Sequence, residues 1–511
     1  MCMKKIANYL IFVLCAFLPI QNSLILFITN RLKLSSALSL WKEVLVLIIS
    51  SFFIFEITKY FRSNENKLSF KDMWPLLIFA GLAFIAILDL VRITLPLWIL
   101  GFRFELAWLG FFSLAVVWLK TVFTKYSFEE KKHLKSILKW GIIAGFCLSS
   151  VFSLSSLAIG QEKFLEFFGY GGETANYIVK APVGHVIDFG DNNLRLSGPF
   201  STPNHYAGYL LLMLGFFLNL MYKSRNYSNK LGSISCIVLC VLFIFLSYAR
   251  FAWLAVVCIV AWLGWLKIKQ LIQIQIDKSK SKQNLVMDEF AHSNKKIKSR
   301  ILAAFNYLVL GLILITPVFI GLVVINTDLS KQTYLPNSIL KPSSTDLHRR
   351  HFLASTDVLF LNPTNYLVGF GLGSSGPAAK IEYGYLNESP IVKYHYKYAS
   401  KWFIDNADLV IPENWFLQVW LNGGILYLIG YLSIFLIPIW KLKNKLSLQQ
   451  NLDSKPDYDS AWSDTFFALS YFGIFIGSLF LHILENQTVA IMWTLVFIYW
   501  QISQFKEEQS A

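Results

Sequence analysis

The residues of this chain best suited to chemistry are arginines set among apolar segments. Arg195 opens RLSGPFSTPNHYAGYLL, residues 195–211, where a stiff turn built on Gly198, Pro199 and Pro203 runs straight into an apolar stretch. Arg250 lies between two apolar runs in LSYARFAWLAVV, and Arg349 and Arg350 are adjacent in DLHRRHFLAS. Arg92 and Arg103 bracket ITLPLWILGF. A guanidinium offers a planar fork of donors that matches phosphate oxygens. Each arginine alone is explained equally by snorkelling or by a structural salt bridge. Several of them on one membrane face favour a ligand both greasy and phosphorylated, and lipid-linked diphosphates are of that kind. Asn204 is placed to cap the helix that follows. The N–H groups of that helix start would form an anion site, although the cap alone also accounts for the asparagine.

These residues are positioned by membrane helices. The chain of 511 residues is 55% hydrophobic with a mean hydropathy of +0.51. Charged residues make up 15%, against roughly 25% in soluble proteins. So apolar a chain reads as an all-α polytopic membrane protein. The net charge of +15 fits basic cytoplasmic loops facing anionic lipid, and no soluble basic domain exists to take nucleic acid. All cysteines but Cys2 lie in apolar segments, so neither a disulfide framework nor a zinc site is expected. The N-terminus resembles a signal peptide but has no clear cleavage site, and it reads as a retained first helix.

About twelve transmembrane helices are predicted: 6–29, 40–61, 73–90, 104–123, 137–159, 205–222, 231–248, 251–268, 301–325, 414–440, 462–483 and 487–504. Among short loops, the lysine and arginine bias puts both termini in the cytoplasm. The domains are then residues 1–325, with helices one to nine; an outer loop domain, 326–412; and residues 413–511, with the last three helices and an inner tail. A second outer loop covers 160–204, and 269–300 is a basic inner linker. The arginine motifs thus face outward. In the long loop GFGLGSSG, residues 369–376, reads as a flexible turn and not a dinucleotide fingerprint. No GxxxxGK[ST] phosphate loop occurs, which argues against ATP-driven work. The only DxD, Asp457-Tyr458-Asp459, falls on the inner side. No metal and no cofactor are expected. Tyrosines from Tyr383 to Tyr398, with Trp402, are candidates for stacking on sugars.

Taken in order, RLSGPFSTPNHYAGYL, SYARFAWLA, HRRHFLAS, NYLVGFGLGSSG and PENWFLQVWLNGGILYLIGYL resemble the motifs of the O-antigen ligase and O-antigen polymerase family of bacterial envelope enzymes. GFRFELAWL, residues 101–109, is a weaker match, and the resemblance spans roughly 100–440. It implies a GT-C-like helical fold with a long, mainly helical outer loop. It also implies an inverting, metal-independent glycosyltransferase in the bacterial inner membrane. The donor would be an undecaprenyl-diphosphate-linked glycan and the acceptor a glycan or lipid hydroxyl, on the outer face and among membrane lipids. By the same resemblance Arg195 and Arg250 should contact the diphosphate, as should one of Arg349 and Arg350.

One departure stands out. Ligases of this family carry a His-Asn pair where this chain has Glu413-Asn414, which leans toward a polymerase. A glutamate can take a proton from the acceptor hydroxyl, with Asn414 beside it at the substrate. Following Pro412, Glu413 is equally an ordinary first-turn residue of a helix. Asp188, Asp191, His348 and His351 are rival bases. Ligation to a lipid A core, protein O-glycosylation and transport of lipid-linked sugars are the competing activities. A transporter should show repeated halves and charges within helices.

Overall fold

A computed structural model describes residues 2–63, 70–170, 195–224, 226–261, 352–353, 355–360, 362–383, 412, 414–438, 458–480 and 483–504. The chain divides into two compact units, Met1–Ala249 with Leu347–Ala511, and Arg250–Asp346. In the second unit a helix covers Arg250–Ala261.

Among the described residues, the regular elements of the first unit are all helices. Its long helices are α1 (Lys4–Arg31), α2 (Ala37–Ser63), α3 (Asp72–Val91), α4 (Leu95–Lys125), α5 (Phe128–Ile159), α6 (Pro203–Lys223), α7 (Tyr227–Leu246), α8 (Trp415–Phe435), α9 (Tyr458–Phe480) and α10 (Gln487–Ser503). The first eight are long and apolar enough to cross a bilayer, so this is a multi-pass membrane protein. Short helices cover Gln161–Phe167, Pro363–Val368 and Pro377–Tyr383, the last two within the predicted outer loop. The predicted ninth span, 301–325, lies outside the described residues.

Contacts define two ends of this unit. At the end carrying Lys4 and Ser503, Lys4 pairs with Glu130 at 3.0 Å, Tyr126 bonds Glu56, and Lys223 reaches the Ser503 carbonyl. Burial beside Glu56 pushes the Tyr126 phenol well above its ordinary range. At the opposite, distal end Arg31 donates to the Phe167 carbonyl, Ser23 to the Pro199 carbonyl and Asn414 to the Leu479 carbonyl.

α4 and α10 form the centre. Their aromatic residues meet those of α8: Trp108 packs on Trp415, Tyr431 and Trp493, and Phe112 on Trp493 and Phe497. Offset and edge-on arrangements of this kind suit the ring quadrupoles. α2, α3 and α7 instead expose large apolar residues such as Leu47, Phe84 and Phe245, as a lipid-facing surface requires.

Two elements depart from regular helix. The stretch expected only to join the third and fourth spans forms the first turns of α4. Thr94 caps it and Pro96 sits in its first turn. A π-turn follows at Phe102–Leu106, and it carries Arg103 and Glu105. Such turns are frequent at functional sites. α8 breaks at Gly424, whose φ of 76° places it in the left-handed region.

Candidate functional site

The distal end gathers polar groups into three clusters. The first is the Arg195 turn. Arg195 Nε donates to the Ser247 carbonyl at 2.9 Å, and Nη2 donates to Asn204 Oδ1 at 2.8 Å and to the Tyr248 carbonyl at 3.5 Å. The Leu196 N–H bonds the Leu246 carbonyl, so the turn is laced to the end of α7. Gly198 has a φ of 52°, and a Cβ there would lie 2.8 Å from the Tyr206 ring. Ser153 and Tyr206 share a buried 2.7 Å hydrogen bond beneath it. Tyr170 contacts Ser23 Oγ at 2.8 Å, and burial pushes its phenol up to about 12.

One expectation is corrected here. Thr202, not Asn204, caps α6: its hydroxyl accepts from the His205 N–H at 3.2 Å, with Pro203 at the first helical position. Asn204 lies inside the first turn, where its amide oxygen holds the Arg195 guanidinium.

The second cluster is the loop Gly369–Gly376. It is not a free turn, because Gly371 to Gly376 are buried. Arg92 Nη1 donates to the Gly369 carbonyl at 2.9 Å and Asp89 Oδ2 accepts from the Leu372 N–H at 3.0 Å, while Asp89 and Arg92 pair with each other. The break at Gly424 leaves the Leu421 and Asn422 carbonyls without helical partners. They accept instead from the Phe370 and Gly371 N–H groups at 2.7 and 2.8 Å. The Asn422 side chain completes the dock. Its Oδ1 accepts from the Ser375 N–H at 2.7 Å, and its Nδ2 donates to the Ser375 carbonyl at 3.2 Å and to Glu105 Oε1. Gly373 must be glycine: a Cβ there would lie 2.9 Å from the Gly101 Cα of α4, and its φ is 80°. The loop is therefore a plug clamped among α3, α4 and α8.

The third cluster joins α2, α4 and α10. Glu43 Oε1 accepts from Arg103 Nε at 2.8 Å and Nη2 at 2.5 Å, and Lys42 Nζ lies 3.5 Å from the same oxygen. Gln487 of α10 donates to the Arg103 carbonyl at 2.8 Å.

Of the predicted site residues, Arg195 and Asn204 are in direct contact, and Asn414 caps α8, accepting from the Leu417 N–H at 2.9 Å. Asn414 also ties α8 to the Leu479 carbonyl of α9. Arg250 is the first residue of the second unit and follows the turn that holds Arg195. Arg349, Arg350 and Glu413 lie outside the described residues, as do Asp188, Asp191, His348 and His351. Asp89, Glu105, Asn422, Lys42 and Glu43 were missed by sequence reasoning. For all of them but Asn422 the signal was present, since ionisable residues inside apolar runs are costly and point to a function. Among the described residues no three His, Cys, Asp or Glu side chains converge as a metal site. No protein-family model matches the chain, and no curated protein sequence matches it.

Proposed function

We propose that this chain is an inverting, metal-independent glycosyltransferase of GT-C-like architecture with about twelve spans, whose termini lie in the cytoplasm of a bacterium. It would polymerise glycan from an undecaprenyl-diphosphate-linked donor onto a second lipid-linked glycan at the outer face of the inner membrane. The supporting observation is convergence. The RLSGPFSTPNHYAGYL turn, the Ser247–Ala249 turn, the GFGLGSSG loop and the start of α8 at Asn414 are far apart in sequence and lie at the same end of one helical unit, the first two bonded to each other and the loop bonded to α8. Those stretches carry the resemblance to O-antigen ligases and polymerases.

In this reading the acceptor oxygen attacks the anomeric carbon as the bond from that carbon to the diphosphate breaks. The proton goes to Glu413, and the diphosphate leaves with the electron pair. Arg195, Arg250 and one of Arg349 and Arg350 stabilise the charge growing on the leaving group. Arg195 is held by two carbonyls and an amide, so its fork is oriented before ligand arrives. The test is a reconstituted reaction with undecaprenyl-diphosphate oligosaccharide. A ladder of longer lipid-linked glycans, lost in Arg250→Ala and Glu413→Gln, is the expected result. Release of undecaprenyl diphosphate only when lipid A core or a protein acceptor is added would assign a ligase or a protein O-glycosylating enzyme instead.

A second reading, a transporter of lipid-linked sugars, is favoured by one feature: α8 is broken beside Glu105, which is 1% exposed. Broken helices and buried acids are hallmarks of transport sites. Movement of labelled donor across proteoliposomes without chain growth would decide for it.

A further inference from the structure

We propose that Lys42, with Trp41 and Arg103, forms a binding site for a phosphate ester at the distal membrane surface. The site is separate from the Arg195 turn, and the proposal does not depend on glycosyl transfer.

The argument begins with charge. Lys42 and Arg103 bring two positive charges to one carboxylate, and all their described ion contacts fall on the single oxygen Glu43 Oε1. Arg103 occupies that oxygen with two short hydrogen bonds. The Lys42 ammonium, a three-donor group whose side chain is only 7% exposed, is left with a 3.5 Å contact to an acceptor already in use. Burying an ammonium so poorly compensated is expensive unless a further anion completes the site. The preceding residue carries a second donor without a partner: Trp41 Nε1 is buried with no hydrogen-bond partner among the described residues.

Location selects the anion. Lys42 lies in the first part of α2 at the distal end, and α2 is one of the most lipid-exposed helices of the unit. At that depth a bilayer presents phosphates, and one phosphate charge would cancel the excess. Phosphate also suits a lysine acting as a point charge beside an arginine fork. Glu43 Oε2 is buried and without a partner among the described residues, and the Glu43 carboxylate opposes the anion. Removing its charge should therefore strengthen binding. The same chemistry has two sources, a phospholipid headgroup or a soluble phosphate.

The experiment uses the purified full-length protein in a phosphate-free maltoside detergent. Thermal unfolding is followed during titration with phosphatidylglycerol in one arm and inorganic pyrophosphate in the other. Stabilisation by phosphatidylglycerol alone identifies a headgroup site, and stabilisation by pyrophosphate as well identifies a site open to soluble phosphate. In either case Lys42→Met should weaken the apparent affinity about tenfold, the loss of one charge-assisted hydrogen bond. Glu43→Gln should tighten it. The proposal is overturned if neither probe stabilises the wild-type protein, or if Lys42→Met binds as well as wild type. Should Lys42→Met not fold, failure of Glu43→Gln to tighten binding overturns it equally.

Discussion

Asn422→Ala tests whether the Gly369–Gly376 loop is a clamped plug. The substitution removes three hydrogen bonds at once: those to the Ser375 N–H and carbonyl, and that to the Glu105 carboxyl. All of these groups are buried, since Asn422 and Ser375 have no exposure and Glu105 only 1%. A neutral hydrogen bond contributes about 1 kcal/mol net, and each buried partner left unsatisfied costs about 1–3 kcal/mol. Allowing for partial rearrangement, the loss comes to about 3–5 kcal/mol, a large part of the roughly 5–15 kcal/mol that holds a domain folded. The assay is equilibrium unfolding in mixed micelles, paired with hydrogen exchange at the Phe370, Gly371, Leu372 and Ser375 amides. Exchange at Phe370, Gly371 and Ser375 should accelerate in step with the stability loss, because their acceptors lie on the same α8 turn, while Leu372, held by Asp89 of α3, should respond less. Glu105→Gln is the companion variant. Its amide oxygen still accepts from Asn422, so its stability should stay within about 1 kcal/mol of wild type. An Asn422→Ala protein as stable as wild type, with unchanged exchange in the loop, would refute the clamp.

Three further outcomes follow from the geometry. Gly424→Ala should destabilise by about 2 kcal/mol or more in the same unfolding assay: the residue has a φ of 76°, and a Cβ would lie 2.1 Å from the Leu367 carbonyl oxygen. Arg195→Lys should keep the charge but lose the fork. If the proposed reaction holds, the lipid-linked ladder should slow by about tenfold or more while the distal turn stays folded, as judged by unchanged proteolysis. Tyr170 predicts an alkaline limb of stability. Its folded pKa is raised from 10.0 to about 12, so its contribution is complete below pH 10 and is lost as pH rises toward 12. Tyr170→Phe should flatten that limb in a pH series of unfolding midpoints.

The sequence alone determined the class of this protein. Long apolar runs in a chain with so few charges cannot fold in water, and a backbone in lipid must satisfy its hydrogen bonds internally, which dictates helices. Helix bounds were legible for the same reason: the spans predicted at 205–222 and 487–504 match α6 and α10 within a residue or two. Caps were harder to read. Thr202 and Asn204 are both good capping types, and only the dihedral angles of the turn decide which one caps. What belongs wholly to the tertiary structure is the partnership of distant residues. GFGLGSSG has the composition of a flexible turn, and the glycines do supply the unusual dihedral angles. Their conformational freedom is spent in close packing because a break at Gly424 frees two carbonyls 50 residues further on, and Asp89 and Arg92 arrive from 280 residues earlier to hold the other edge. Hydrogen bonds between segments so far apart leave no local signature. A residue's type states which bonds it must make, and only the fold states with whom.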